Sequence, residues 1–178
     1  MLNEKIQEIR NKSEVYYLNT AAMSLSPPCV EKAVTKYYKE RERRGPNFSE
    51  YWNKADILRE LLGEKLHCSA KEIMFTQSTS MGINLVAGMI PFEPGDNVVI
   101  TDIEFPSNVY PWMNLKNRGV ATRFAKNKNG ALGLEEIQKL CDNHTKAVSI
   151  SWVQATNGYI ANLKEIGSFC RERNLFRC

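Results

Sequence analysis

The chain has 178 residues, with 24 lysines and arginines against 20 aspartates and glutamates, a net charge of +4. Apolar residues make up 43% and charged residues 25%, the balance of a folded globular domain and not of a disordered segment. The charge is mild and interleaved, as in Lys39-Glu40-Arg41-Glu42-Arg43-Arg44, so no nucleic-acid partner is expected; the most apolar stretch, residues 81–92, is short and broken by Asn84 and Pro91, so no membrane span is expected either.

Apolar residues Leu2, Ile6 and Ile9 predict a short helix over residues 2–12, followed by an extended piece at Val15 to Leu18. Ser26-Pro27-Pro28 opens a helix, because proline suits a first turn, and Gly45-Pro46 ends it. Ser49 is placed to cap the next helix, whose apolar face holds Trp52, Ala55, Leu58, Leu61, Leu62 and Leu66. From Glu72 the pattern changes to alternating strand and helix. Strands are expected at residues 73–76, 97–102, 120–125 and 147–153. Helices are expected at 79–90, 107–118, 134–142 and 163–173, with Gly119 stopping the second of these. Leu175 to Cys178 reads as the entry to a fifth strand. This alternation implies an α/β protein, a three-layer α/β/α arrangement with a mainly parallel sheet. A sheet that stops there leaves an edge uncovered, which suggests a truncated piece of a longer chain.

The five cysteines (Cys29, Cys68, Cys141, Cys170, Cys178) form no CxxC pair, and most read as small buried apolar residues. His67 and His144 have no metal-ligand partner at a recognisable spacing, so no metal site is expected. The first residues carry no apolar signal region, and a cytoplasmic location is expected.

In an open parallel sheet, ligands bind at the carboxyl ends of the strands. After the first expected strand comes Thr76-Gln77-Ser78-Thr79-Ser80-Met81-Gly82, a cluster of hydroxyls at a helix entrance. Unpaired N–H groups and a partial positive charge make such an entrance a phosphate site; the plainer reading is a well-capped helix. Neither a P-loop nor a G-x-G-x-x-G fingerprint is present, which weakens nucleotide hydrolases and dinucleotide-binding dehydrogenases. After the second strand stands Phe105, which can stack on a planar ligand or pack under its loop. After the fourth come Gln154-Ala155-Thr156-Asn157-Gly158, either ligand hydrogen-bonding groups or an ordinary polar turn.

These three strand ends, in this order, resemble the N-terminal half of class V aminotransferases, the pyridoxal-phosphate family that includes cysteine desulfurases. Tyr17-Leu18-Asn19-Thr20-Ala21-Ala22 is similar to the family's opening "YLDxAA". Residues 75–87, from Phe75-Thr76-Gln77-Ser78-Thr79-Ser80 to Val86-Ala87, are similar to its phosphate-binding "FTxGTTEGINLVA". Glu104-Phe105-Pro106-Ser107-Asn108-Val109-Tyr110-Pro111-Trp112 is similar to "EHHSNxxPW", and Ser151-Trp152-Val153 to Gly158 to "THVSNxxG". The resemblance implies the large domain of a fold type I pyridoxal-phosphate transferase. It implies pyridoxal 5'-phosphate as cofactor, an amino acid as substrate and a homodimer in the full-length family. Residues 71–178 would be part of the cofactor-binding large domain. Residues 1–70 would be a helical segment that joins the small domain and dimer contacts.

Carried over by the resemblance, Thr79 and Ser80 hold the cofactor phosphate with Ser78 contributing backbone. Phe105 stacks on the pyridine. Thr156 or Asn157 meets the ring substituents, with the choice within 154–157 left open. Asn19, Ala21 and Ala22 lie near the substrate carboxylate. Met81 stands in place of the usual Glu, Phe105-Pro106 in place of the His-His that desulfurases favour, and Ala155 in place of the common Asn. The family's pyridinium-pairing Asp and Schiff-base Lys would lie beyond Cys178. No residue of this chain is therefore assigned a catalytic role, and the chain alone is expected to be inactive. The competing readings are a non-catalytic remnant and a general α/β module for phosphate ligands.

Overall fold

A computed structural model describes residues 17–178. The helix expected over 2–12 lies outside the described residues, as does the start of the extended piece at 15–18. The chain divides into two compact units, residues up to Met74 and residues from Phe75.

In the first unit, residues 19–23 form a turn, with the Ala22 and Met23 amides donating to Asn19 O at 3.2 and 3.3 Å. Helix α1 runs Pro28–Arg44 and ends at Gly45, whose φ of +71° a side chain would oppose. Helix α2 runs Phe48–Leu66. Its cap is Asn47, not the expected Ser49: Asn47 Oδ1 accepts from Glu50 N at 3.2 Å. Asn caps as well as Ser, and Ser49 falls one residue inside the helix. At the far end His67 adopts the left-handed conformation, so that Cys68 N donates back to Gly63 O at 3.0 Å.

The second unit is a four-stranded, all-parallel sheet in the order β2-β1-β3-β4. The strands are β1 Asn97–Thr101, β2 Ala121–Ala125, β3 Thr145–Val148 and β4 Phe176–Arg177. All five residues of β1 are buried. Val98 and Ile100 join one apolar cluster with Ile83, Ala87, Trp112 and Leu115. Val99 joins the other, with Ile137, Val148, Ile166 and Phe169. Side chains alternate across a strand, so a central strand is apolar throughout only when both faces are covered. Here α3 (Thr79–Met89) and α4 (Tyr110–Met113) supply residues to one face, and α5 (Leu134–Gln138) and α6 (Leu163–Glu172) to the other. The expected three-layer α/β/α architecture is present.

Several elements differ from expectation. Residues 73–76 form no strand: Ile73 has extended backbone, but the segment joins no ladder of the sheet. An apolar run becomes a strand only where a neighbouring edge offers it hydrogen bonds. The helix expected over 107–118 is broken into a 3₁₀ turn at Pro106–Asn108, the single turn α4 and a 3₁₀ helix at Asn114–Arg118. Pro106 and Pro111 each remove a backbone donor and constrain the residue before them. Helix α5 stops at Gln138, short of Asp142, whose own N–H is taken by Thr145 Oγ1 at 2.9 Å. The strand expected over 147–153 is shorter and earlier, and the entry to a further strand after Leu175 is β4. Only Cys170 among the five cysteines is fully buried; Cys29 and Cys178 are exposed, and all five are free thiols. Partial burial pushes the Cys141 thiol up to about 11, so it stays protonated at neutral pH.

Candidate functional site

Helix α3 begins at Thr79 because Ser78 caps it: Ser78 Oγ accepts from Met81 N at 3.2 Å. That cap takes the third amide of the helix. The amides of Thr79 and Ser80 are first-turn donors, which have no intrahelical acceptor by construction. No acidic residue lies in this first turn, so nothing opposes an anion there. Thr76 Oγ1 donates to Ser78 O at 3.2 Å and Asn84 Nδ2 to Ser80 O at 2.8 Å, which fixes the turn from both sides.

The loop after β1 carries Phe105, which is 54% exposed. At that exposure the ring is not fully packed beneath its loop. Ser80, Asn84, Phe105, Ser107 and Tyr110 line one cavity of about 610 Å³, with no charged side chain in its wall. The structure thus brings Ser80, in the first turn of α3, and the Phe105 ring to one cavity, while Ser78 and Thr79 do not line it. Asn84 was not singled out from sequence, although its position one helical turn after Ser80 could have found it.

Thr156 and Asn157 do not line this cavity. They sit in the exposed turn after β3. Asn157 Nδ2 donates to Gly130 O at 2.7 Å, and its Oδ1 accepts from Tyr159 N at 3.0 Å. Asn19, Ala21 and Ala22 lie in the exposed turn of the first unit.

The residues that flank Phe105 in the loop belong to a buried polar network. Glu104 is 8% exposed and Gln154 1%. Glu104 Oε1 accepts from Ser151 N at 2.7 Å and from Gln154 Nε2 at 3.0 Å, and Oε2 accepts from Ser151 Oγ at 2.6 Å. Asn108 Oδ1 accepts from Trp112 Nε1 at 3.0 Å and from Ser149 Oγ at 2.5 Å. Gln154 Oε1 is the one buried side-chain polar atom among the described residues without a hydrogen-bond partner. Asp102, at the end of β1, accepts from Asn127 N and Nδ2, both at 3.0 Å. Partial burial raises its carboxyl, but the Asn127 bonds together with the Lys126 ammonium outweigh this and hold it below the usual range.

Among the described residues, no group of three or more His, Cys, Asp or Glu is placed to hold a metal ion, and no helix is long and apolar enough to cross a membrane.

The chain is similar to a probable cysteine desulfurase of Borreliella burgdorferi, at 34% identity over 98% of this chain and 43% of that protein. The apo structure of a cysteine desulfurase from Thermococcus onnurineus NA1 superposes with a TM-score of 0.83 at 26% identity, covering 96% of this chain and 46% of that one. A C-DES mutant with glycine covalently linked to its PLP cofactor shares the fold at the same TM-score of 0.83 and 20% identity, over 96% of this chain and 46% of that one. The chain therefore has the fold type I architecture, and it spans less than half the length of the relatives it matches. The family model for aminotransferase class-V matches residues 16–178, and on that match the chain belongs to the class V aminotransferase family.

Proposed function

We propose that this chain is part of the cofactor-binding portion of a pyridoxal-phosphate-dependent enzyme that acts on an amino acid. The observation that supports this best is the shared cavity of Ser80 and Phe105. A phosphate needs donors without acceptors, and the first turn of α3 offers the Thr79 and Ser80 amides and hydroxyls. A flat pyridine ring needs an exposed aromatic face, and Phe105 offers one. The residues present fit the group.

When bound, the cofactor supplies an electron sink for chemistry at the substrate's amino-bearing carbon. Thr79 and Ser80 bind its phosphate, and Ser78 holds the turn that aims their amides. Phe105 orients the ring and shields one of its faces from water. Thr156 or Asn157, in the turn after β3, would meet the ring substituents only from outside the wall that Ser80 and Phe105 share. Asn19, Ala21 and Ala22 serve the substrate carboxylate. Residues 1–70 contribute to the small domain and to contacts in a homodimer, and residues 71–178 to the large domain. None of these residues transfers a proton to substrate, so the chain by itself binds and orients.

Charge-assisted hydrogen bonds contribute ~1.5–3 kcal/mol each and ring stacking ~1 kcal/mol, against the cost of association. On these magnitudes pyridoxal phosphate binds weakly, with a dissociation constant on the order of millimolar or above. An absorbance titration of the purified chain tests it. Thr79→Val combined with Ser80→Ala should weaken binding about tenfold or more. An unchanged affinity, or a nucleotide that binds tighter than pyridoxal phosphate, would overturn the assignment.

A further inference from the structure

Phe105 stands between two buried anchors, Glu104 and Asn108, and both reach residues that follow β3. Asn108 takes Ser149 through its side-chain oxygen, and its own N–H returns to Phe105 O at 2.8 Å. Glu104 takes the backbone and hydroxyl of Ser151 and the amide of Gln154. All three donors to the carboxylate are neutral.

A buried carboxylate is costly unless its lone pairs are filled, and this one is filled entirely by the loop after β3. The residue next to it, about half exposed, is the ring in the cavity wall. The Gln154 amide is fixed as well, because its nitrogen faces two acceptors, Glu104 Oε1 at 3.0 Å and Ser151 O at 3.4 Å. Rotating that amide would set oxygen against oxygen. Its Oε1 is thereby kept as the unfilled acceptor.

We infer that Glu104 is a positioning residue: it fastens the Phe105 loop to the Ser151–Gln154 loop and so fixes the attitude of the Phe105 ring in the cofactor cavity. This rests on the cofactor reading above. The clamp joins residues 47 and 50 positions apart in sequence. It touches neither Thr79 nor Ser80, so its effect should fall on the ring of the ligand and not on its phosphate.

The test uses the full chain with two probes, pyridoxal 5'-phosphate and inorganic phosphate. Glu104→Gln loses the charge and one acceptor. It should weaken pyridoxal phosphate about fivefold or more, and reduce the circular dichroism induced in the bound cofactor. Affinity for inorganic phosphate should stay within twofold of the parent. In a Phe105→Ala background, Glu104→Gln should cause little further loss, because its effect passes through that ring. Ser151→Ala removes only the hydroxyl donor and should show the same pattern in weaker form, which keeps the test available if Glu104→Gln does not fold. Equal losses with and without Phe105, or a parallel loss of inorganic phosphate, would show a merely structural role and overturn the inference. Saturable pyridoxal phosphate binding that ignores both Glu104→Gln and Ser151→Ala also overturns it while leaving the cofactor reading intact. No saturable binding by the parent chain overturns the cofactor reading itself, and this inference with it.

Discussion

Arg123 on β2 reaches across the amino end of the sheet to Asp142, with Nη1 2.7 Å from Asp142 Oδ2. The same nitrogen donates to Leu140 O at 2.7 Å. Asp142 Oδ1 accepts from Asn97 Nδ2 and from His144 N, both at 2.9 Å. The segment that leaves α5 is thus pinned to the first residue of β1, at the opposite end of the strands from the candidate site.

The pinning makes stability depend on acid pH. The Asn97 hydrogen bond first, and the Arg123 bond after it, hold the Asp142 carboxyl well below the usual carboxylate range. Its folded value is depressed relative to an unfolded value near ~3.9. The stabilisation is therefore complete above about pH 4–5 and is lost as pH falls toward the folded value. Asp142→Asn should melt below the parent at pH 7, and the gap should narrow between about pH 5 and 3. Melting curves that stay parallel over that range would remove the carboxylate from this role.

Two helical glycines should respond in opposite directions to the same substitution. A Cβ on Gly63 would meet Cys68 O at 2.8 Å and Ala70 N at 3.3 Å, both backbone atoms that cannot turn away. A Cβ on Gly88 would meet nothing within 4 Å. Alanine normally favours a helix over glycine by roughly 0.5–1 kcal/mol. Gly88→Ala should gain about that much. Gly63→Ala should lose roughly 1–3 kcal/mol, because overpacking outweighs propensity. Urea unfolding followed by far-ultraviolet circular dichroism measures both, and a stabilised Gly63→Ala would contradict the tight turn at Cys68.

Ser78 has a structural task separable from any ligand. Its side chain caps α3 through Met81 N. Ser78→Ala should cost about 1 kcal/mol, within the usual ~0.5–2 kcal/mol for a lost cap. Ser78→Asn should retain most of the stability, since Asn caps equally well. If both variants melt alike, the hydroxyl is not the feature that starts this helix.

Local signals in the sequence carried some helix boundaries and the core of the central strand. Ser78 marks the start of α3, and Gly45 and Gly119 mark ends because their positive φ is a property of one residue. The apolar run of β1 implied coverage on both faces, which is what a central parallel strand requires. Phe105 was legible as a site candidate because position after a strand follows from chain order; the hydroxyl cluster at 76–80 was legible as a helix entrance, although the strand expected before it does not form.

Pairing and convergence were decided only in three dimensions. Residues 73–76 are as apolar as a strand, yet strandhood depends on an edge that the segment does not itself supply. Asn157 reads as a ligand group beside Thr156, but its amide is engaged by Gly130, 27 residues away. Glu104 appears in sequence as one residue of a loop, and its three donors come from Ser151 and Gln154. Composition and periodicity describe neighbours along the chain. Which buried carboxylate meets which buried amide is fixed by the packing of the sheet, because only there does leaving either group unpaired become costly.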